Sequence, residues 1–166
     1  MGAAAAGGAL ARPRREYRTG AVTRGIAVAT WVLVAAGLTV LAVRYPGLPQ
    51  TVPTHFDAAG RADAVGDRSS LLWLVLVWVV LQAGLAWLAA HPHVANFPVQ
   101  VTPENAQRLY REAERLIVWC GAGVAVVFCG VLGLVVTGDG GWSLLISGAL
   151  VALLGSCAVA VVRMLR

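Results

Sequence analysis

Four long runs without a single Asp, Glu, Lys, Arg or His divide this chain: Ile26–Val43, Leu71–Ala90, Leu116–Thr137 and Ser143–Val162. A helix rises about 1.5 Å per residue, so about 20 apolar residues cross a hydrocarbon core about 30 Å thick. Each run has that length. With 58 % hydrophobic and 13 % charged residues among 166, the chain is too apolar for a soluble domain and has no room for a separate globular one. The predicted fold is an all-α integral membrane protein, a four-transmembrane-helix bundle over residues 25–166. Residues 1–24, Ala/Gly-rich and then Arg-rich, are predicted to be a disordered basic tail held near anionic headgroups.

All basic residues are Arg, which in so Ala-, Val- and Gly-rich a chain reflects the codon usage of a GC-rich genome. The net charge of +5 therefore carries no expectation of nucleic-acid binding. Its distribution does carry information. Arg12, Arg14, Arg15, Arg18, Arg24, Arg108, Arg111, Arg115, Arg163 and Arg166 fall on one side of the alternating spans. Arg44, Arg61 and Arg68 fall on the other and are nearly cancelled by Asp57, Asp63, Asp67 and Asp139. The positive-inside rule then predicts both termini in the cytoplasm and the first connection outside, in a bacterial inner membrane. The first run is too long for a signal-peptide h-region and meets no small-x-small site, so it is expected to be a retained span. The start MGAAAA lacks the Ser or Thr of a myristoylation signal. Cys120, Cys129 and Cys157 lie in the runs and are expected to be free, small packing residues.

The first connection, LPQTVPTHFDAAGRADAVGDRSS, gathers one His and three Asp in an otherwise oily chain. Val52 and Phe56 favour a strand, and Pro53 biases its predecessor away from helix. Asp57-Ala58-Ala59-Gly60 has the residues of a four-residue turn, and Arg61 to Val65 can return as a second strand. A small hairpin over the outer mouth of the bundle follows, with Ser69 or Ser70 capping the second span. Pro53, His55, Phe56, Asp57, Gly60 and Asp63 are the candidate ligand- or partner-binding residues. His55 with Asp57 and Asp63 are ligand types for zinc, but two or three ligands fall short of a structural site, so no metal is expected. The same His and Asp could act as base and orienting acid, yet the loop has no activated nucleophile and no span carries paired acids or HExxH. No enzyme activity and no cofactor are expected. A purely structural loop competes with the binding reading: Asp57 caps its turn, His55 bonds a neighbour, and Arg61 and Arg68 pair with Asp63 and Asp67.

The second connection also has internal order. Thr102-Pro103-Glu104 is a helix start, with a hydroxyl N-cap, Pro at the first position and an acid near the positive dipole end. Glu104/Arg108 and Arg108/Glu112 sit at i,i+4 spacing, and Ala106, Leu109, Ala113 and Leu116 share a face. An amphipathic helix running unbroken into span three is predicted, its charges forming a solvated face. Trp31 and Trp78 are expected to fill packing space within the bundle. Gln82, in mid-span, should find an interhelical hydrogen bond worth about 1 kcal/mol. In spans three and four, Gly121, Ala125, Cys129 and Gly133, and likewise Gly148, Ala152, Ser156 and Ala160, recur every four residues. Such ridges let transmembrane backbones approach closely, so these spans should pack as an antiparallel hairpin; a homodimer through one ridge is the competing use.

The first connection resembles the signature of the bacterial membrane-protein family known as domain of unknown function 1648. Its pattern, Pro-x-x-(Ile/Val)-Pro-x-His-(Phe/Trp)-(Asn/Asp) followed by Gly, Pro-Asp and Gly-Ser-Lys, is met by Pro49, Val52, Pro53, His55, Phe56, Asp57, Gly60, Asp63 and Gly66. Asn96, Phe97 and Pro98, with Thr102, Pro103, Glu104 and Asn105, resemble cytoplasmic-loop motifs that often follow that domain, so the likeness spans about residues 30–115. Ala62 stands in place of Pro, Val65 in place of an aromatic, and Asp67-Arg68 in place of Ser-Lys. The family includes larger immunity proteins of the SdpI type, which protect a cell from its own toxic peptide and sequester a repressor at the membrane. The resemblance implies immunity or signalling through a peptide or membrane-protein partner. A structural accessory subunit of a transporter complex is the alternative.

Overall fold

The computed structural model describes residues 12–57 and 60–166; the first part of the expected tail, and Ala58 and Ala59 of the expected turn, lie outside the described residues. The order is helix α1 (Ala21–Arg44), a 3-10 turn (Tyr45–Gly47), strands β1 (Thr51–Phe56) and β2 (Ala62–Asp67), helix α2 (Ser70–Ala90), a second 3-10 turn (Pro92–Val94), and helices α3 (Ala106–Thr137) and α4 (Trp142–Leu165). All four helices are long and apolar enough to cross a membrane, and each contains one of the charge-free runs. Prolines punctuate the chain where the helices stop, Pro46 after α1 and Pro92 after α2. At the end of α3, Gly138 takes the left-handed φ of 67° and its N–H closes on Leu134 O at 2.9 Å, a glycine C-terminal cap.

The helices are not equal partners. α3 packs extensively on α1, α2 and α4, whereas α1 and α2 make no extended contact with each other, nor does α4 with either. The reason lies in the small residues of α3. Gly121, Ala125 and Cys129 face α1 and α2: Gly121 lies under the Gln82 side chain, and Cys129 meets Gly37 of α1. Trp78 of α2, fully buried, fills the slot between Gly37 and α3 and stacks on Phe128 with centroids 5.5 Å apart. α4 is received on a different face, where Gly123 meets Leu153, Gly130 meets Ile146 and Gly133 meets Trp142. The antiparallel α3–α4 hairpin therefore forms, but its seam is not the two predicted ridges. Of the α4 ridge, Gly148 has nothing within 4 Å and Ala152 is exposed, while Ser156 is half-buried and Ala160 buried. Trp31, expected to fill packing space, is 42 % exposed and lines a narrow space beside Gln82. Gln82 is buried, but its Oε1 has no hydrogen-bond partner, so the expected interhelical bond through that oxygen is absent.

The chain leading from Arg12 into α1, the α2–α3 connection and the end of α4 gather at one end. The stretch Arg12–Thr19, predicted to be disordered, is instead docked there. Arg12 donates to the carbonyls of His93 (2.8 Å) and Ala95 (2.7 Å), Tyr110 donates its hydroxyl to Pro13 O (3.1 Å), and the Gln107 amide bridges the backbone of Glu16 and Arg14. Glu114 is the anchor. Its side chain, only 6 % exposed, accepts from Arg15 Nη2 (3.0 Å) and Thr19 Oγ1 (2.5 Å). Glu114 is thus not part of a solvated face. Tyr17 lies beside it, its ring flanked by Arg15 and Arg111, and burial together with the Glu114 carboxylate pushes its phenol above the ordinary tyrosine range. The predicted i,i+4 pairs of Arg108 do not form. Arg108 instead donates to Arg163 O at 2.9 Å, and Glu112 pairs with Arg115 (2.8 Å) and Arg163 (3.8 Å), tying α3 to the end of α4. A charged side chain reaching a neighbouring helix end satisfies carbonyls that its own helix cannot.

Two outcomes follow from this packing. A Cβ at Gly37 would sit 2.9 Å from the fully buried Trp78 ring, while Gly25 has open space. Gly37→Val should cost about 2 kcal/mol and lower the unfolding midpoint in detergent by several degrees, with Gly25→Val nearly neutral, as read by tryptophan fluorescence on heating. Breaking a buried ion pair from one side costs about 3–5 kcal/mol, less here because the Arg15 side chain is 23 % exposed. Glu114→Gln should therefore release the N-terminal stretch, and trypsin should cut after Arg15 and Arg18 at least about ten-fold faster with helix content unchanged.

Candidate functional site

The hairpin forms as the residues of the first connection suggest. β1 and β2 pair antiparallel with Thr51 opposite Asp67, Val52 opposite Gly66 and Phe56 opposite Ala62, and the register shifts on either side of His55. These irregularities re-aim side chains, and His55 Nδ1 meets Asp63 Oδ1 at 2.5 Å. On the inner face, Val52 is 1 % exposed and Phe56 packs against the same cluster as Val34, Leu41, Leu71 and Trp78. The hairpin is thus pinned to the helices by two apolar side chains, and Arg68 closes its base by donating to Leu48 O at 3.2 Å while its guanidinium lies over the Tyr45 ring.

The turn is held by one carboxylate. Asp57 Oδ1 accepts from Arg61 N at 2.9 Å, Asp57 Oδ2 pairs with the Arg61 guanidinium at 2.8 Å, and Gly60 N donates to Asp57 O at 2.9 Å. Asp57 does cap its own turn, as expected. The ion pairs are otherwise distributed than predicted: Arg61 pairs with Asp57, Asp63 takes His55, and Asp67 accepts Ser69 N at 2.7 Å. Hydrogen bonds from the Ser69 side chain and backbone hold the Asp67 carboxyl below the usual carboxylate range. Ser69 makes no side-chain cap to α2; the cap is replaced by this Asp67 contact.

Beneath the hairpin lies a cavity of about 430 Å³. Pro53, His55, Phe56, Asp57 and Gly60 form its roof, Leu74, Leu134 and Val135 its floor, and the hydroxyl-bearing Ser70, Ser143 and Ser147 its sides. The cavity exists because α2 and α4 pack on different faces of α3 without closing on each other, leaving a space that the hairpin covers. Gly60, with φ of 76°, brings the turn onto α4, where an added Cβ would meet Ser143 Cβ at 2.9 Å. The result is an apolar slot with a polar rim, of the size that takes a small molecule or one or two side chains.

Five of the six residues singled out in the first connection thus line one cavity, and Asp63 joins through His55. Their placement is not uniform: the His55 and Asp63 side chains are 70 % and 48 % exposed, so this pair lies on the outer edge of the roof. Ser143 and Ser147 were not singled out, although their i,i+4 spacing on an otherwise apolar span was a signal for a polar stripe. The second-connection residues lie elsewhere. Asn96 and Pro98 are exposed at the end carrying the termini, and it is Phe97 between them that packs, 5.8 Å from the Tyr110 ring. Thr102, Pro103, Glu104 and Asn105 form a turn before α3 and not its first turn: Thr102 O accepts from Ala106 N (2.9 Å), Asn105 Oδ1 accepts from Thr102 N (2.8 Å), and a hydrogen bond from the Thr102 side chain lowers the Glu104 carboxyl. Among the described residues no three of His, Cys, Asp and Glu converge to hold a metal ion.

Four membrane-length helices with a β-hairpin clamped over a cavity at one end define a multi-pass membrane protein class. Residues 26–80, from α1 through the hairpin into α2, match the family model described as domain of unknown function DUF1648, about a third of the chain. The match ends before the second connection. No curated protein and no solved structure matches the chain.

Gly60→Ala should lift the turn from α4, since a left-handed φ costs a residue with a Cβ about 1–2 kcal/mol. Amides of residues 51–67 should then exchange faster while those of α1 and α2 keep their protection, measured by hydrogen exchange with mass spectrometry.

Proposed function

We propose that this protein spans a bacterial inner membrane four times, with the hairpin outside and both termini in the cytoplasm, and that the cavity under the hairpin receives a peptide or protein partner. The distribution of Arg supports the orientation, since ten lie at the end bearing the termini and three at the hairpin end. The observation that carries the binding reading is the cavity itself: a slot of about 430 Å³ with apolar floor and hydroxyl sides, roofed by His55, Phe56 and Asp57. An apolar side chain of the partner fits the floor, and its backbone or a polar neighbour meets the serines and the His55–Asp63 pair at the rim. An immunity or signalling role is the form of this activity that suits a small membrane protein with a sheltered slot at one end.

α3 is the route by which binding would be felt on the other side. It supplies the cavity floor through Leu134 and Val135, and, about 20 residues earlier and so about 30 Å away, Glu114, which holds the N-terminal stretch. A second reading, an accessory subunit of a transporter or other membrane complex, draws on α4. Among the helices it packs extensively only on α3, and only 6 % of its most apolar stretch is buried, so much of its surface is open to another helix.

The experiment is capture of the full-length tagged protein from native membranes in mild detergent, with His55→Ala and Phe56→Ala beside it. Because the His55 side chain is largely exposed, its pair with Asp63 contributes little to stability. His55→Ala should keep membrane abundance within about 1.5-fold of the parent, given a cost of at most about 1 kcal/mol, and lose the partner or the protection against a toxic peptide. Loss of abundance in parallel with function would mean that the hairpin is structural only. A stoichiometric partner retained by both variants would favour the accessory-subunit reading.

A further inference from the structure

α1 and α2 each pack on α3 but not along each other, which leaves a crevice between them at the end bearing the termini, opposite to the hairpin cavity. Its mouth encloses about 640 Å³. Arg18, Thr23 and Arg24 stand at the rim, and Ala27 of α1 with Ala86 and Ala89 of α2 line the walls. The same alanines continue inward to a narrow space of about 30 Å³ beside Gln82, whose Oε1 is buried and unpartnered.

The charges at the mouth do not cancel. Glu114 is the acid there, and it is already occupied by Arg15 and Thr19. Among the described residues, Arg18 and Arg24 form no ion pair; Arg24 donates only to Thr19 O, at 3.3 Å. Two arginines therefore stand at the mouth of a slot walled by methyl groups. Arg forks match phosphate oxygens in geometry, and basic pockets between transmembrane helices bind anionic headgroups. A free phosphate would leave the alanine walls uncovered, and a zwitterionic lipid would bring its own ammonium against the arginines.

We infer that this crevice is a binding site for one anionic phospholipid. Its phosphodiester lies between Arg18 and Arg24, with the Thr23 hydroxyl as a further donor, and the first carbons of its chain lie along Ala27, Ala86 and Ala89. The inference does not rest on the proposed partner binding, which concerns the other end of the helices. The lipid would fill the gap between α1 and α2 that the protein leaves open.

The test is native mass spectrometry of the full-length protein in detergent, with phosphatidylglycerol or phosphatidylcholine of the same chains added in turn. The parent protein should retain one phosphatidylglycerol in preference to phosphatidylcholine. Arg18→Gln and Arg24→Gln should each weaken that retention about five-fold, and the double variant should abolish the preference. Ala86→Leu, which fills a wall and leaves every charge in place, should displace the lipid as well. Arg14→Gln, outside the crevice, should change nothing. Equal retention of the two lipids by the parent overturns the inference, as does a preference that survives the double variant or Ala86→Leu. An equal loss in Arg14→Gln also overturns it, since that would be the behaviour of a diffuse basic surface. Circular dichroism of each variant checks that the helices are intact.

Discussion

Between lipid-exposed helices the hydrophobic effect supplies little, because acyl chains are as apolar as the side chains they would replace; shape must hold the helices together. In this protein the fit of one indole supplies much of that shape. Trp78 is wholly buried between Gly37 on α1 and the Ala125–Cys129 stretch of α3, with Phe128 stacked on its face. Its Nε1 is buried without a hydrogen-bond partner, a cost of about 1–3 kcal/mol. The site therefore holds by packing and not by polar pairing. The cluster continues through Leu41 and Leu71 to Val52, so the seat of the hairpin is an extension of the same contact.

The two ends of the helices are held by different chemistry. At the hairpin end, two apolar anchors and one carboxylate turn fix the first connection into a roof over a cavity. At the other end the contacts are ionic and carbonyl-directed, with the arginines of the N-terminal stretch and α3 satisfying carboxylates and the free carbonyls of helix ends and turns. α3 joins them. It is the helix that reaches both the cavity floor and the buried Glu114, and the only one packed extensively on all the others.

The elements of local origin were legible from residues alone. The charge-free runs lie within α1 to α4, Asp57 and Gly60 make the turn they suggest, and the helix from the second connection continues unbroken into α3. Partner choice was not legible. Arg108 was placed to pair along its own helix, yet α4 brings the carbonyl of Arg163 within reach, and a carbonyl that has no helical partner is the better acceptor. The residues of the cavity came from four separate segments, so that His55 and Asp57 could be singled out but the serines that face them could not.

Composition and spacing by themselves determined that four helices of membrane-crossing length form and which connection folds as a hairpin. Those properties depend on hydropathy summed over a run or on backbone rules acting within a few residues. Only the tertiary structure decided that α3 stands at the centre, that Glu114 is buried beneath the N-terminal stretch, and that gaps remain under the hairpin and between α1 and α2. In an oily, Ala- and Gly-rich chain nearly every helix face could serve as an interface. Which one does is settled by where a few large side chains, Trp78 and Trp142 first among them, find a glycine opposite.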